Sequence, residues 1–120
     1  MRMTEIPMEG QRPVDGYGPG GFRIDGEWHA GSLILLPSGI RPLEGPPSVE
    51  SLAPVFAAAD ALDVLLVGMG PDIAPLPRPL RDALDAANVG FEVMSTPSAC
   101  RTYNVLLTEY RRVAAALVAM

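Results

Sequence analysis

The sequence predicts an α/β domain built on a mainly parallel sheet, with a β-hairpin layer in front of it. Three observations predict this. Short apolar runs alternate with helical patterns from residue 32 onward, as right-handed β-α-β crossovers require. The glycine-dense stretch before them alternates apolar with polar residues around an Asp-Gly pair. Finally, 120 residues without an internal repeat make one ordinary domain, spanning 1–120.

In chain order, residues 1–13 read as a flexible arm with at most a short strand. From Val14 to Gly31, Phe22 and Ile24 alternate with Arg23 and Asp25, and Asp25-Gly26 forms the turn of a hairpin. Ser32–Pro37 is a continuous apolar run, the signature of a strand covered on both faces. Arg41–Pro47 reads as a Pro/Gly loop. Ser48 caps a helix over Val49–Asp60, with Glu50 in its positive first turn and Pro54 set to kink it or delay its start.

Leu62–Val67 is a second buried strand, ended by Gly68-Met69-Gly70-Pro71. A helix over Pro79–Ala87 follows, with Leu80, Ala83, Leu84 and Ala87 on one stripe and Asn88-Val89-Gly90 as its stop. Phe91–Met94 is a third strand. Thr96 then caps the last helix, with Pro97 in first position. Its inner face holds Ala99, Cys100, Tyr103, Leu106, Leu107 and Tyr110, while Arg101, Asn104 and Thr108 line the outer one. The tail from Arg111 to Val118 reads equally as helix, because alanine favours it, or as a short apolar strand.

Composition excludes several classes. All nine basic residues are arginine, which removes Schiff-base catalysis and the P-loop lysine. A net charge of −5 with scattered arginines argues against nucleic acid. One Cys and one His starve a zinc site, and no cofactor or metal is expected. No apolar run approaches the ~20 residues that span a bilayer, so no integral membrane segment is expected. The N-terminal residues resemble neither a secretory signal nor a transit peptide. With a lone cysteine suited to a reducing compartment, the chain reads as cytoplasmic.

Ligands of open α/β sheets sit beyond the carboxyl ends of the strands. Two stretches belong there: Gly68, Met69 and Gly70, and Ser95, Thr96 and Ser98 with Arg101 and Asn104 one turn apart. The first lacks the third glycine of a dinucleotide fingerprint, since Ile73 stands in its place, and a tight turn explains it. The second offers N–H groups, hydroxyls and a guanidinium to an anion; an ordinary capped helix explains it as well. Cys100 in the first turn could be activated by the helix dipole, but it lies on the apolar stripe, where packing explains it. For His29 the default is a structural hydrogen bond in the hairpin. Gly-x-Ser-x-Gly is absent and the carboxylates show no paired spacing, so no catalytic residue is assigned.

Three stretches together, Gly20–Pro37, Leu65–Pro71 and Met94–Leu107, resemble a small family of largely uncharacterised proteins. It has bacterial and archaeal members and includes the mitochondrial respiratory complex I assembly factor 3 and the adipogenesis-associated domain protein. The resemblance covers the chain from about Tyr17 onward. It implies a three-layer α/β domain with a central mixed sheet and a small β layer in front, and it makes Val113–Val118 a strand. The family usually carries a small turn residue where Tyr110 stands. The transit segment of the mitochondrial relative is missing, which fits a bacterial member. The resemblance implies a non-enzymatic protein-binding role, with respiratory-complex assembly components as partners. The alternative is an enzyme or small-molecule binder using the anion pocket just described. A homodimer through a sheet or hairpin edge stays open.

Overall fold

The computed structural model describes residues 11–120; most of the expected arm therefore lies outside the described residues. Twelve segments follow in order. β1 (Val14–Gly18), β2 (Gly21–Ile24) and β3 (Glu27–Ala30) form an antiparallel meander. β4 (Leu33–Leu36) and β5 (Gly39–Pro42) form a hairpin. α1 (Ala53–Ala57) and a 3-10 turn (Ala59–Ala61) lead to β6 (Val64–Gly68). Then come α2 (Arg78–Ala86), β7 (Phe91–Met94), α3 (Thr96–Thr108) and β8 (Val113–Leu117).

The central sheet has the order β5-β4-β8-β6-β7. β8 pairs in parallel with β6, and β6 with β7, whereas β4 is antiparallel to both of its neighbours. The sheet is therefore mixed, with four strands running one way and β4 alone against them. The crossover β6-α2-β7 moves outward, and β7-α3-β8 returns past β6. Two right-handed crossovers of opposite sense must use opposite faces, and they do. α2 packs Leu80 and Leu84 with Leu52 and Val55 on one face, against Leu65, Val67 and Ala116. α3 packs Ala99, Tyr103 and Leu107 on the other, against Leu66, Ala115 and Leu117, with Phe22 and Ile24 of the meander beside it. Each fully buried leucine contributes roughly 1.5–3 kcal/mol.

β8 settles the ambiguity of the tail. Every one of its residues is buried, because helices cover both faces of the middle strand. Its alanines give α3 room to lie close, so tertiary packing overrides alanine's helix preference.

Several expectations require correction. The front layer is a three-stranded meander, since β1 adds to the predicted hairpin. Its Asp25-Gly26 turn has φ of 54° and 81°, as a primed hairpin turn demands. Part of the expected loop from Arg41 is strand β5, paired with β4 from Gly39 to Pro42. The helix expected over Val49–Asp60 is reduced to α1 and the 3-10 turn. Ser48 caps only a preceding turn, accepting from the Ser51 N–H at 2.9 Å, and Pro54 stands in the first turn of α1. Tyr110 leaves the inner face of α3: it occupies the following turn at φ 59°, 77% exposed.

Candidate functional site

The crevice expected at the strand ends lies where β6 and β7 send their connections to opposite faces. The structure brings Gly68, Met69, Gly70, Ser95 and Thr96 together there, and Thr96 closes the gap. Its hydroxyl accepts from the Gly70 N–H at 2.8 Å and donates to the Val118 carbonyl at 2.7 Å. Its own N–H donates to the Gly70 carbonyl at 2.7 Å. The Met69 N–H reaches the Met94 carbonyl, and the Val118 N–H reaches that of Gly68, both at 2.9 Å. A Cβ on Gly68 would lie 2.8 Å from Thr96 Cα, which is why glycine ends this strand.

The cap of α3 is Ser95, one residue earlier than expected. Its hydroxyl accepts from the Ser98 N–H at 3.3 Å, and its carbonyl accepts from Ala99 N–H at 2.9 Å. Pro97 has no N–H. The first-turn donors are thus paired within the chain, and an anion would have to displace one of them. Arg101 is exposed on α3, with no ion pair among the described residues. Asn104 does not line a free outer face: its amide donates to the Val14 carbonyl at 2.9 Å and accepts from the Val14 N–H at 2.8 Å. It latches β1, and so the meander, to α3.

Cys100 is buried and unpaired. Burial, only partly offset by Arg101, pushes its thiol up to about 11, so it is an inert packing residue. His29 differs from expectation: among the described residues its imidazole has no hydrogen-bond partner.

A second concavity, not foreseen from the sequence, opens between the inner face of the meander and the β4–β5 hairpin. It measures about 160 Å³ and has Tyr103 among its lining residues, with Glu27 and His29 of β3. Tyr103 is 1% exposed, and burial pushes its phenol up to about 12, against the opposing Gln11 hydrogen bond. Gln11 Nε2 donates to Tyr103 Oη at 3.2 Å and to the Val113 carbonyl at 2.9 Å. These residues lie 92 positions apart, so no local spacing announces them. The alternation of Glu27 and His29 on one strand face was the single legible hint.

A third surface is apolar. Trp28 lies over Gly18 and Gly21 on the outer face of the meander, and a Cβ on Gly21 would meet Trp28 Cζ2 at 2.7 Å. Trp28, Ile40, Arg41 and Pro42 border a shallow groove of about 420 Å³ between β3 and β5. Trp28 remains 47% exposed and Ile40 39%.

Among the described residues there is no cluster of metal-ligating side chains and no helix long and apolar enough to cross a membrane. The architecture is that of a three-layer α/β domain with a mixed sheet and a separate antiparallel sheet. The chain belongs to the family described as "Protein of unknown function (DUF498/DUF598)", whose model matches residues 14–118. An uncharacterised protein of Rhodobacter capsulatus is 50% identical over 120 residues, covering 100% of this chain and 94% of that one. The NADH dehydrogenase [ubiquinone] 1 alpha subcomplex assembly factor 3 of Danio rerio is 34% identical over 106 residues, covering 85% of this chain and 61% of that protein. The chain thus spans about three-fifths of that vertebrate relative. A crystal structure described as an outer membrane protein from Bartonella henselae has a TM-score of 0.89 and 42% identity, covering 96% of this chain and 98% of that one.

Proposed function

We propose that this protein is a non-enzymatic protein-binding factor that works in respiratory-complex assembly, in the cytoplasm. The observation that carries the reading is the groove between the adjacent edges β3 and β5, where Trp28 and Ile40 stand half exposed. Apolar side chains beside unpaired strand edges suit a partner segment that adds to the sheet. The likeness to assembly factor 3 supports the kind of partner, and the buried free Cys100 suits a reducing compartment.

The strand-end crevice stands behind this as a site for a small anion on Ser98 and Arg101, because Thr96 and Ser95 already use the polar groups there. The decisive experiment is affinity purification from the host at native expression, with cross-linking chemistry directed at carboxylates, since the chain has no lysine. Recovery of a respiratory-complex assembly component that is lost in Trp28→Glu and Ile40→Glu, but kept in Arg101→Ala, is the expected result. Recovery of the chain alone, or of the same partner from all variants, overturns this surface. Recovery of a second copy only makes the groove a homodimer contact, which light scattering checks.

A further inference from the structure

The cleft behind the meander contains polar groups that the fold itself does not use. Tyr103 Oη accepts from Gln11, yet among the described residues its O–H proton has no acceptor. A buried hydroxyl left without one forfeits a hydrogen bond and carries a desolvation cost. His29 and Glu27, two residues apart on β3, line the same cleft and also have no side-chain partner among the described residues. Ile24, Leu35 and Ile40 supply apolar walls. The volume of about 160 Å³ is close to that of cavities, about 150 Å³, that hold one benzene. The combination is a half-open cleft of mixed polar and apolar lining, with a donor at its buried end and a carboxylate at its mouth.

The charge at the mouth selects the ligand class. Arg12 stands 3.7 Å from Asp25, so those two charges offset each other. Glu27 then leaves a local excess of negative charge, which favours a cation over an anion. We propose that this cleft binds a small organic amine that carries a carbonyl or hydroxyl oxygen. The oxygen accepts from Tyr103 Oη, the aliphatic body lies on Ile24, Leu35 and Ile40, and the ammonium faces Glu27. This site adjoins the outer groove of Trp28, with which it shares His29 and Ile40, but Tyr103 and Glu27 belong to the cleft alone; the strand-end crevice shares none of its residues.

The test is a matched set of probes on the full chain, read by backbone NMR shifts and thermal shift. Leucinamide has the amine, the acceptor and an aliphatic body of suitable size; 4-methylpentanamide lacks the amine, and 4-methylpentanoate lacks it too and carries a carboxylate in place of the amide. At millimolar concentration, leucinamide is expected to shift the resonances of Ile24, Glu27, Leu35 and Ile40 and to bind more tightly than either analogue. Tyr103→Phe, which keeps the ring, should weaken leucinamide about fivefold by loss of one hydrogen bond. Glu27→Gln alters an exposed side chain and cannot unfold the domain; it should erase the preference of leucinamide over 4-methylpentanamide. The proposal is overturned if none of the probes shifts these resonances. It is equally overturned if 4-methylpentanoate binds as well as leucinamide, or if both variants bind leucinamide like the parent.

Discussion

Gly68 and Thr96 touch so closely that a Cβ on the glycine would stand 2.8 Å from Thr96 Cα. This contact holds the end of β6 against the start of α3, and the Thr96 hydroxyl then ties in Gly70 and Val118. The strand-end crevice, where many α/β proteins bind ligands, is used here to join three chain segments. Gly68→Ala should therefore lose about 1–3 kcal/mol through overpacking. Thr96→Val, which leaves the Gly70 N–H and the Val118 carbonyl unpaired, should lose about 2–4 kcal/mol, while Thr96→Ser should lose about 1 kcal/mol. Urea denaturation of the three variants checks the order.

Asn104 makes both hydrogen bonds to the Val14 backbone. Its replacement by alanine should release β1 from α3 at a cost of about 1–2 kcal/mol. Amide hydrogen exchange is the measurement: the amides from Val14 to Gly18 should lose protection while those of β6 and β8 keep it.

Cys100 should resist thiol chemistry in the native state. With its thiol at about 11 and its side chain buried, reaction with iodoacetamide at pH 8 should follow global unfolding. Rapid modification without denaturant would contradict this packing.

Asp63 joins the starts of β6 and β8. It accepts from the Arg112 backbone N–H at 2.8 Å and from the Arg112 guanidinium at 3.0 Å, and Arg111 stands 3.8 Å away. The hydrogen bonds of Arg112 hold its carboxyl below the usual carboxylate range. A depressed carboxylate stabilises the fold above its unfolded pKa and loses that contribution as pH falls through its folded value. Asp63→Asn should thus lower Tm at neutral pH, and the two melting curves should converge as pH falls below the ordinary carboxylate range and through the depressed folded-state value.

Tyr110 occupies left-handed backbone at φ 59°, where its side chain is exposed and packs nothing large. Tyr110→Gly should raise stability by about 0.5–1 kcal/mol, measured by the urea midpoint at unchanged slope.

The residues alone determined much of this architecture. Ser32–Pro37 and Leu62–Val67 read as buried strands because continuous apolar runs suit strands covered on both faces, and β4 and β6 form there with ends shifted by one or two residues. The Asp25-Gly26 turn was legible because few residue pairs accept positive φ twice. The α2 stripe was legible because Leu80 and Leu84 repeat at helical spacing. The gathering of Gly68–Gly70 with Ser95 and Thr96 followed from where strand ends meet in such sheets.

Tertiary structure decided the rest, for reasons that act at long range. Whether Val113–Leu117 is helix or strand depended on what covers it, because an alanine run has no outward face of its own. β5 emerged from an Ile-Arg-Pro sequence only because β4 offered it an edge. Thr96 looked like a cap with free hydrogen-bonding capacity until the Val118 carbonyl arrived from the far end of the chain to take its proton. The front cleft needed Gln11, β3 and Tyr103 in one place. A local pattern records the preferences of neighbours along the chain, and it holds no term for a partner ninety residues away.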